Sequence, residues 1–387
     1  MKRSREKIIP HQDIELEFSR EPLLYYLCTP DSHNSDSGIM MVINEFKGGS
    51  DSDYFKNELA PFLCEKFNCI VAGVNYFGYQ RGRKIEFSEA FINNINRIYA
   101  LTFNNELINS AKNDKQVYTI IANHLVGKGI TALDPRCQPI MKTGKNEYQS
   151  WGFLPAIDNL TALGDLLKKY DINKNRIFVY GKNYGGYIAQ LMGKFAPNTF
   201  STIIEREGYS KSVLRHIVGG EIMEPDSEIR LNIQGYDHDF TISLASNNPW
   251  TIEDENSPYY FSDSHRKIRS LLQEKHKIPS KTNYFVYHTE DNGFSSIENK
   301  EKCVELLKKT NTIEFNRAPV YDPYTNLSDI EFLDKFLEEH DLKDLESSND
   351  QTDFDLNSEL DFDCGEKDYI FEYSEEGNLS VRIEKKG

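Results

Sequence analysis

The chain has 387 residues, and its formal net charge at pH 7 is -16. That charge argues against nucleic acid as a main partner, because phosphate binding needs clustered Lys and Arg. No stretch approaches the ~20 apolar residues that cross a bilayer. An ordinary hydrophobic share of 39% predicts a globular protein, long enough for one large α/β domain with insertions or for two domains.

The N-terminus and the cysteines predict a cytoplasmic protein. Met1–Lys7 is basic, but no apolar h-region follows it, so we expect no signal peptide. The cysteines have no metal-binding spacing, and a disulfide framework is not expected at this size. They are Cys28, Cys64, Cys69, Cys137, Cys303 and Cys364.

The first elements predict a mostly parallel sheet. Asp13–Phe18 alternates apolar and charged residues, and with Leu23–Leu27 it predicts an opening antiparallel hairpin. Gly38–Ile43 and Cys69–Val74 are continuous apolar runs, typical of strands buried on both faces, and a helix over about 54–67 lies between them.

Two segments interrupt this strand–helix rhythm. Residues 87–148 carry helical periodicity around Ala90–Tyr99 and Val117–Leu125, and we interpret them as a cap insertion. Residues 211–258 are irregular and partly polar, which predicts a second excursion over the carboxyl edge of the sheet.

The remaining elements complete an α/β-hydrolase order over residues 1–340, with helices on both faces of the sheet. The predicted helices are Pro155–Tyr170, Tyr187–Phe195, His265–His276, Ser296–Lys309 and Asp329–His340. The predicted strands are Arg176–Tyr180, Thr199–Ile204, Thr282–Tyr287 and Thr312–Asn316.

The C-terminus differs in composition. Residues 341–368 are dense in Asp and Glu, which predicts an acidic linker. Residues 369–387 alternate around Ser374–Asn378 and predict a β-hairpin. The hairpin could cover a sheet edge, which is the favoured interpretation, or engage a protein partner.

The most informative residue is Asn183, in the run Tyr180-Gly181-Lys182-Asn183-Tyr184-Gly185-Gly186. A buried strand, then Gly-x-nucleophile-x-Gly, then a helix is the frame of a nucleophile elbow. An active serine hydrolase has Ser at this position. Asn183 is an amide without a removable proton of useful pKa, so the sequence predicts the fold and puts the chemistry in doubt.

The other triad positions are only partly present. The acid should follow the strand Thr282–Tyr287, and Asp291 lies where it belongs, although an ordinary acidic turn residue would read the same way. The histidine should lie in the loop 317–328, which contains none, and His340 is at the far end of the next helix. A missing imidazole leaves no base to activate a nucleophile.

Other candidates are weaker. His288 begins the acid loop and could reach the pocket, but a structural histidine at a strand end is the favoured reading. In Asp237-His238-Asp239 alternate residues of an extended segment face opposite sides, so we expect no metal site there. No nucleotide-binding motif is present, and we expect no cofactor.

An oxyanion-like pocket is the best preserved part of the machinery. Phe46-Lys47-Gly48-Gly49 follows the first parallel strand, where backbone N–H groups would face the pocket, and Tyr184 would add its own N–H. A Gly-rich turn without that role fits the same residues. Such a pocket around Asn183 could bind a carboxylate or an acyl oxygen without turning it over.

From about Gln12 to His340 the chain resembles an α/β-hydrolase-fold family of flagellated bacteria such as Campylobacter, encoded near genes for flagellin glycosylation and called motility accessory proteins. The resemblance is carried by 21–26 and 74–76, by Glu147–Phe153 and Ala156–Asp158, by the elbow, and by Ser257–Ser262. Ser is common at the elbow in that family, and Asn183 departs from it. The resemblance implies the fold and a setting in flagellar glycan modification, but no reaction.

Three hypotheses follow. The first is a non-catalytic accessory protein that binds an acylated or acidic sugar, or a protein partner. The second is an esterase or acyltransferase on a modified sugar, with an unusual base. The third is an interaction protein whose C-terminal hairpin carries the function. Each predicts no membrane and no nucleic acid as partner.

Overall fold

The computed structural model describes residues 1–46, 48–80, 84–104, 106, 108, 111–142, 147–222, 224–246, 248–290, 292–293, 295–319, 326–347 and 350–386. Two compact units are present, one built from 1–79, 150–212 and 262–387, the other from 80–149 and 213–261. Among the described residues, no helix has both the length and the apolar composition needed to cross a membrane.

In chain order the strands are β1 (Lys2–Ile8), β2 (Leu23–Thr29), β3 (Gly38–Ile43), β4 (Cys69–Asn75), β5 (Lys84–Glu86), β6 (Ile140–Lys142), β7 (Ile177–Lys182), β8 (Thr202–Arg206), β9 (Ser227–Leu231), β10 (Phe240–Ser246), β11 (Asn283–Thr289), β12 (Thr312–Ala318), β13 (Glu359–Asp363), β14 (Lys367–Tyr373) and β15 (Leu379–Lys385). The α-helices are α1 (Ala60–Lys66), α2 (Glu89–Tyr99), α3 (Asp114–Val126), α4 (Phe153–Lys169), α5 (Tyr184–Phe195), α6 (Arg215–Val218), α7 (Asp263–Ile268), α8 (Ile297–Lys308) and α9 (Asp329–Glu339).

The first unit contains an eight-stranded sheet in the order β1-β2-β4-β3-β7-β8-β11-β12. β2 is antiparallel to both of its neighbours, and the pairs from β4 to β12 are parallel. This is the strand order of the α/β-hydrolase fold, which confirms the fold predicted from the sequence. Since β3, β4 and β7 are buried on both faces, they read as continuous apolar runs.

One core cluster joins the sheet to α1 and α9. It brings together Leu63 of α1, Phe178 of β7, Phe285 of β11 and Phe332 of α9, all of them buried. Helices α4 and α5 contact each other, and both contact β3. The sheet therefore holds the end of β7, where the elbow begins, inside a packed core.

The opening hairpin was predicted at the wrong place. β1 is Lys2–Ile8, and the segment Asp13–Phe18 is a turn in which the carboxylate of Asp13 accepts from the N–H groups of Glu15 and Leu16 at 3.1 and 3.2 Å. The charged residues that alternate with apolar ones here do not belong to a strand. The side chain of Glu15 is fully buried in an ion pair with Arg269, and the turn positions it for that contact.

The second unit corrects the prediction for residues 211–258. That segment holds β9 and β10, which join β5 and β6 in a four-stranded sheet of order β5-β6-β10-β9. Its core packs Phe91, Ile121 and Leu125 of the first excursion against Phe240 and Ile242 of the second. The two predicted insertions thus form one compact unit. β9 was not predicted because its residues are mostly polar.

The C-terminal segment is not a linker. Within 341–368 lies β13, which pairs with β14, and β14 pairs with β15. Asp353 is buried, and its carboxylate accepts from the N–H of Asn198 and the hydroxyl of Thr199, both at 2.8 Å. The acidic composition of the segment predicted a linker, although the segment contains a strand and buried residues such as Asp353.

The predicted hairpin is present as β14 and β15, which form a separate three-stranded sheet with β13. Tyr369 and Phe371 of β14 pack on Phe153 of α4 and Phe195 of α5, with ring centroids 4.5 Å apart between Phe195 and Phe371. Its apolar face is therefore used inside the chain, against helices.

The helix predicted over His265–His276 is shorter than expected. Helix α7 ends at Ile268, and a 3₁₀ turn follows at Glu274–His276. The buried amino group of Lys194 donates to the carbonyls of Ile268 and Ser270, which supplies partners for backbone oxygens at and just beyond the helix end.

Candidate functional site

The elbow has the backbone conformation of a nucleophile position. Asn183 lies between β7 and α5 with φ 51° and ψ -117°, a region that favours glycine. Its N–H donates to the carbonyl of Arg206 at 2.8 Å, which holds it beside the end of β8. The strained conformation is retained although the side chain is an amide.

The elbow glycines permit close backbone contact. A Cβ on Gly181 would lie 2.3 Å from the carbonyl oxygen of Gly185, and a Cβ on Gly185 would lie 2.1 Å from the carbonyl oxygen of Ile43. Any side chain there would push α5 away from β3 and β7. This is the steric reason for the Gly-x-Asn-x-Gly pattern.

The side chain of Asn183 is paired with a carboxylate. Its Nδ2 donates to Oε2 of Glu45 at 2.8 Å. Glu45 is exposed and follows β3 by two residues, in the loop where a hydrolase places oxyanion donors. An amide cannot attack an acyl carbon in the way a serine does, and a carboxylate beside it opposes a developing negative charge.

Three aromatic rings, which belong to residues next to this pair in sequence and to Trp151, pack together. Phe46 stacks on Tyr184 with ring centroids 3.8 Å apart, and Trp151 lies 5.0 Å from Tyr184. The hydroxyl of Tyr184 accepts from the N–H of Gly152 at 2.7 Å. Tyr184 and Trp151 are buried and Phe46 is half-buried, so Phe46 is the ring that lies nearest to solvent.

The glycine-rich loop is fixed by its own contacts. The N–H of Gly48 donates to the carbonyl of Glu45 at 3.0 Å, and the N–H of Ser50 donates to Oδ1 of Asn75 at 2.9 Å. Gly49 is buried, and Lys47 lies outside the described residues. Gly48 therefore closes a turn, and the oxyanion role of Phe46, Gly49 and Tyr184 stays a prediction.

The acid position Asp291 also lies outside the described residues. The described residues Thr289 and Asn292 both contact Glu207, a residue the sequence analysis missed. Glu207 follows β8 with φ 58°, and its carboxylate accepts from the N–H and hydroxyl of Thr289 at 3.0 and 3.1 Å and from the amide of Asn292 at 2.7 Å. The sequence feature that could have identified Glu207 is its position directly after a buried strand.

His288 is fully buried in this neighbourhood. One ring nitrogen, Nε2, lies 2.9 Å from the carbonyl of Ser295, and Nδ1 lies 3.7 Å from Oε2 of Glu207. Burial, followed by the positive charge of Lys300, lowers the pKa of His288 to about 4. A neutral imidazole held by a loop carbonyl is structural, as the sequence analysis favoured.

None of the histidines is hydrogen-bonded to Asn183 in the part of the chain that the structure describes. The nine are His11, His33, His124, His216, His238, His265, His276, His288 and His340. All lie in the described ranges. His340 packs edge-on against Phe285 with centroids 4.7 Å apart, and Asp237, His238 and Asp239 are exposed. Within the described part of the chain no group of three potential ligands could hold a metal ion.

A buried ion pair contacts α5, the helix that follows the elbow. Lys300 and Glu205 are fully buried with Nζ 2.9 Å from Oε2, and the amide of Gln190 on α5 donates to the same oxygen at 2.8 Å. The other carboxylate oxygen accepts from the N–H of Gly208. One carboxylate thus ties α5, β8, α8 and the Glu207 loop together.

Residues 5–316 match the model of a protein family described as "Protein of unknown function (DUF2920)". A search of the curated proteins finds no match.

Similar solved structures include an acylaminoacyl peptidase from Pyrococcus horikoshii, with 13% identity, a TM-score of 0.46, and coverage of 89% of this chain and 44% of that one. The dipeptidyl peptidase 4 of Porphyromonas gingivalis matches with 14% identity, a TM-score of 0.44, and coverage of 89% and 35%. A lipase/esterase from Lactobacillus plantarum matches with 10% identity, a TM-score of 0.41, and coverage of 88% and 99%. The chain spans less than half the length of the two peptidases.

The buried ion pair gives a stability prediction. Lys300→Met leaves the Glu205 carboxylate buried without a cation and should lower the free energy of unfolding by about 3–5 kcal/mol. The double variant Glu205→Gln/Lys300→Met should recover most of that loss, because no unpaired charge remains. Lys309→Met, which breaks an exposed pair with Glu274, is the matched control and should have little effect. Urea unfolding measures all of these, and a double variant no more stable than Lys300→Met would contradict the role of the pair.

The lowered pKa of His288 gives a pH prediction. The unfolded chain binds a proton near pH 6.5 and the folded chain only near pH 4, so this residue costs stability as pH falls through that window. The loss is at most about 3 kcal/mol. Burial also lowers the pKa of His265 and of His276. His288→Gln should remove its own part of the slope of unfolding free energy between pH 6.5 and 4, while the parts due to those two histidines remain. An unchanged slope in the variant would contradict the assignment.

Proposed function

This chain belongs to the DUF2920 family, and we propose that it is a non-catalytic α/β-hydrolase-fold protein that binds a neutral acylated sugar at the elbow. The observation that carries the proposal is the hydrogen bond between Asn183 and Glu45 at the position of the nucleophile. At the position where a hydrolase has its nucleophile, the pair presents an amide and a carboxylate that can hydrogen-bond to a ligand.

The hydrogen-bond donors and acceptors that the Asn183–Glu45 pair leaves unpaired are suited to hydroxyl groups. Among the described residues, the amide oxygen and the second N–H of Asn183 have no partner, and Oε1 of Glu45 has none either. A sugar hydroxyl can donate to the carboxylate and accept from the amide. The half-buried ring of Phe46 beside them supplies an apolar surface.

The carboxylate narrows the ligand class. Acidic and acylated sugars were both expected from the sequence, but a carboxylate ligand would meet the like charge of Glu45 at hydrogen-bond distance from Asn183. A neutral acyl group avoids that repulsion. This favours an O- or N-acylated sugar without a free acid.

The biological setting that we propose is flagellar glycan modification or motility. Its support is the resemblance carried by Glu147–Phe153, Ala156–Asp158 and Ser257–Ser262.

An esterase or acyltransferase is the second candidate. It is favoured by the φ of 51° at Asn183, which costs stability and presents a side chain as a nucleophile is presented. A binding role also uses that conformation, since it directs the amide toward Glu45.

A binding and turnover measurement separates the two candidates. Purified protein is titrated calorimetrically with methyl glycosides that carry O-acetyl, N-acetyl or no acyl group, and acetate release is followed in parallel. We expect binding of an acylated glycoside without acetate release. Asn183→Ala and Glu45→Gln should each weaken binding about tenfold, the loss of one good polar contact. Glu65→Gln, at an exposed position of α1, is the matched control and should bind as the wild type does.

Acetate release that disappears in Asn183→Ala would establish an enzyme and overturn the non-catalytic proposal. Equal affinity of the wild type and both site variants would show that the elbow does not hold the ligand.

A further inference from the structure

A second site lies on the N-terminal strands of the first unit. A groove of about 470 Å³ runs between β1, β2 and the helical turn before α1. It is separated from β7 in the sheet by β4 and β3. Its volume falls in the ~300–1,000 Å³ range of small-molecule pockets.

The groove is basic in an acidic protein. Arg3, Arg5 and Lys56 line it, against one acidic residue, Asp53. The Asp53 side chain is 92% exposed and lies 3.4 Å from Lys56. In the part of the chain that the structure describes, neither guanidinium has a carboxylate within ion-pair distance, although the whole chain carries 61 acidic and 45 basic residues.

Both arginines are held over the face of the sheet. In the β1–β2 register Arg3 is opposite Cys28 and Arg5 is opposite Tyr26, so the four side chains share one face. Nη1 of Arg3 donates to Oδ1 of Asn57 at 2.8 Å. The Cζ of Arg5 lies 5.6 Å from the ring centroid of Tyr26.

Charged side chains on an edge strand ordinarily prevent edge-to-edge pairing. That role needs charge directed along the edge. Here Arg3 donates to Asn57, in the helical turn before α1, and the guanidinium of Arg5 lies over the Tyr26 ring, so both contacts are on the face of the sheet. Guanidinium groups with unused donors are suited to a planar or tetrahedral oxyanion.

The floor of the groove is apolar. Tyr26 is half-buried, and the buried side chains of Phe55, Ala60 and Cys28 line the groove beside it. A hydrogen bond from Cys64, followed by the positive charge of Arg3, lowers the pKa of the Cys28 thiol to about 7.

We propose that this groove binds a small phosphate monoester whose body is an apolar ring. The phosphate lies between Arg3, Arg5 and Lys56, and the ring packs beside Tyr26. Two guanidinium groups and an ammonium match a dianion better than a single carboxylate. The site acts independently of the elbow.

Phenyl phosphate is the probe, with phenol and inorganic phosphate as its two halves. Calorimetric titration at low salt should show that phenyl phosphate binds at least tenfold more tightly than either half. Arg3→Gln/Arg5→Gln should weaken it at least tenfold, with retained folding checked by circular dichroism. Lys2→Gln/Lys308→Gln changes the net charge equally at exposed positions outside the groove and should bind as the wild type does.

Lys56→Gln keeps the test decisive if the double variant does not fold, and it should also weaken binding. The proposal is overturned by absence of binding to the wild type, or by equal binding to Arg3→Gln/Arg5→Gln and the control. Binding of a hexaglutamate peptide without binding of phenyl phosphate would also overturn it, since the occupant would then be an acidic peptide.

Discussion

The contact between Gly185 and the carbonyl of Ile43 is the constraint on which the site depends. A Cβ at Gly185 would lie 2.1 Å from that oxygen, so only glycine lets α5 start this close to β3. Glu45 follows Ile43 by two residues, and Asn183 precedes Gly185 by two. The close approach therefore brings the carboxylate and the amide within hydrogen-bond distance.

The elbow keeps the backbone of a nucleophile position with an amide in place of the nucleophile. Asn183 has φ 51°, a conformation that costs stability in a residue with a side chain. In the described part of the chain its side chain pairs with Glu45, and no hydrogen bond joins it to an imidazole. Our proposal that the site binds hydroxyl groups and neutral acyl groups rests on this pairing.

Local pattern sufficed for much of the fold. β3, β4 and β7 are buried on both faces, and α4 and α8 have strong helical periodicity, so each was predicted within a few residues. Asp13–Phe18 failed because alternation there reflects one buried Glu15 and not a strand. Residues 341–368 failed because acidic composition outweighed a few buried anchors such as Phe354 and Phe362.

The site could be predicted only in part. Asn183 was found because the elbow is a local pattern, whereas Glu45 and Glu207 act through residues far away in sequence. Their contacts depend on which strands are neighbours in the sheet, which a single sequence does not state. A search for acidic residues one or two positions after buried strands would have found both.

Restoring a serine tests the central claim most directly. Asn183→Ser places a hydroxyl at the elbow, and a fluorophosphonate probe reports whether that hydroxyl is activated, with Asn183→Ala as the reference. Because no histidine is hydrogen-bonded to Asn183 among the described residues, we predict that Asn183→Ser is labelled no faster than Asn183→Ala. Stoichiometric labelling of Ser at 183 would show that a base is in place, and would contradict the account of a site built for binding.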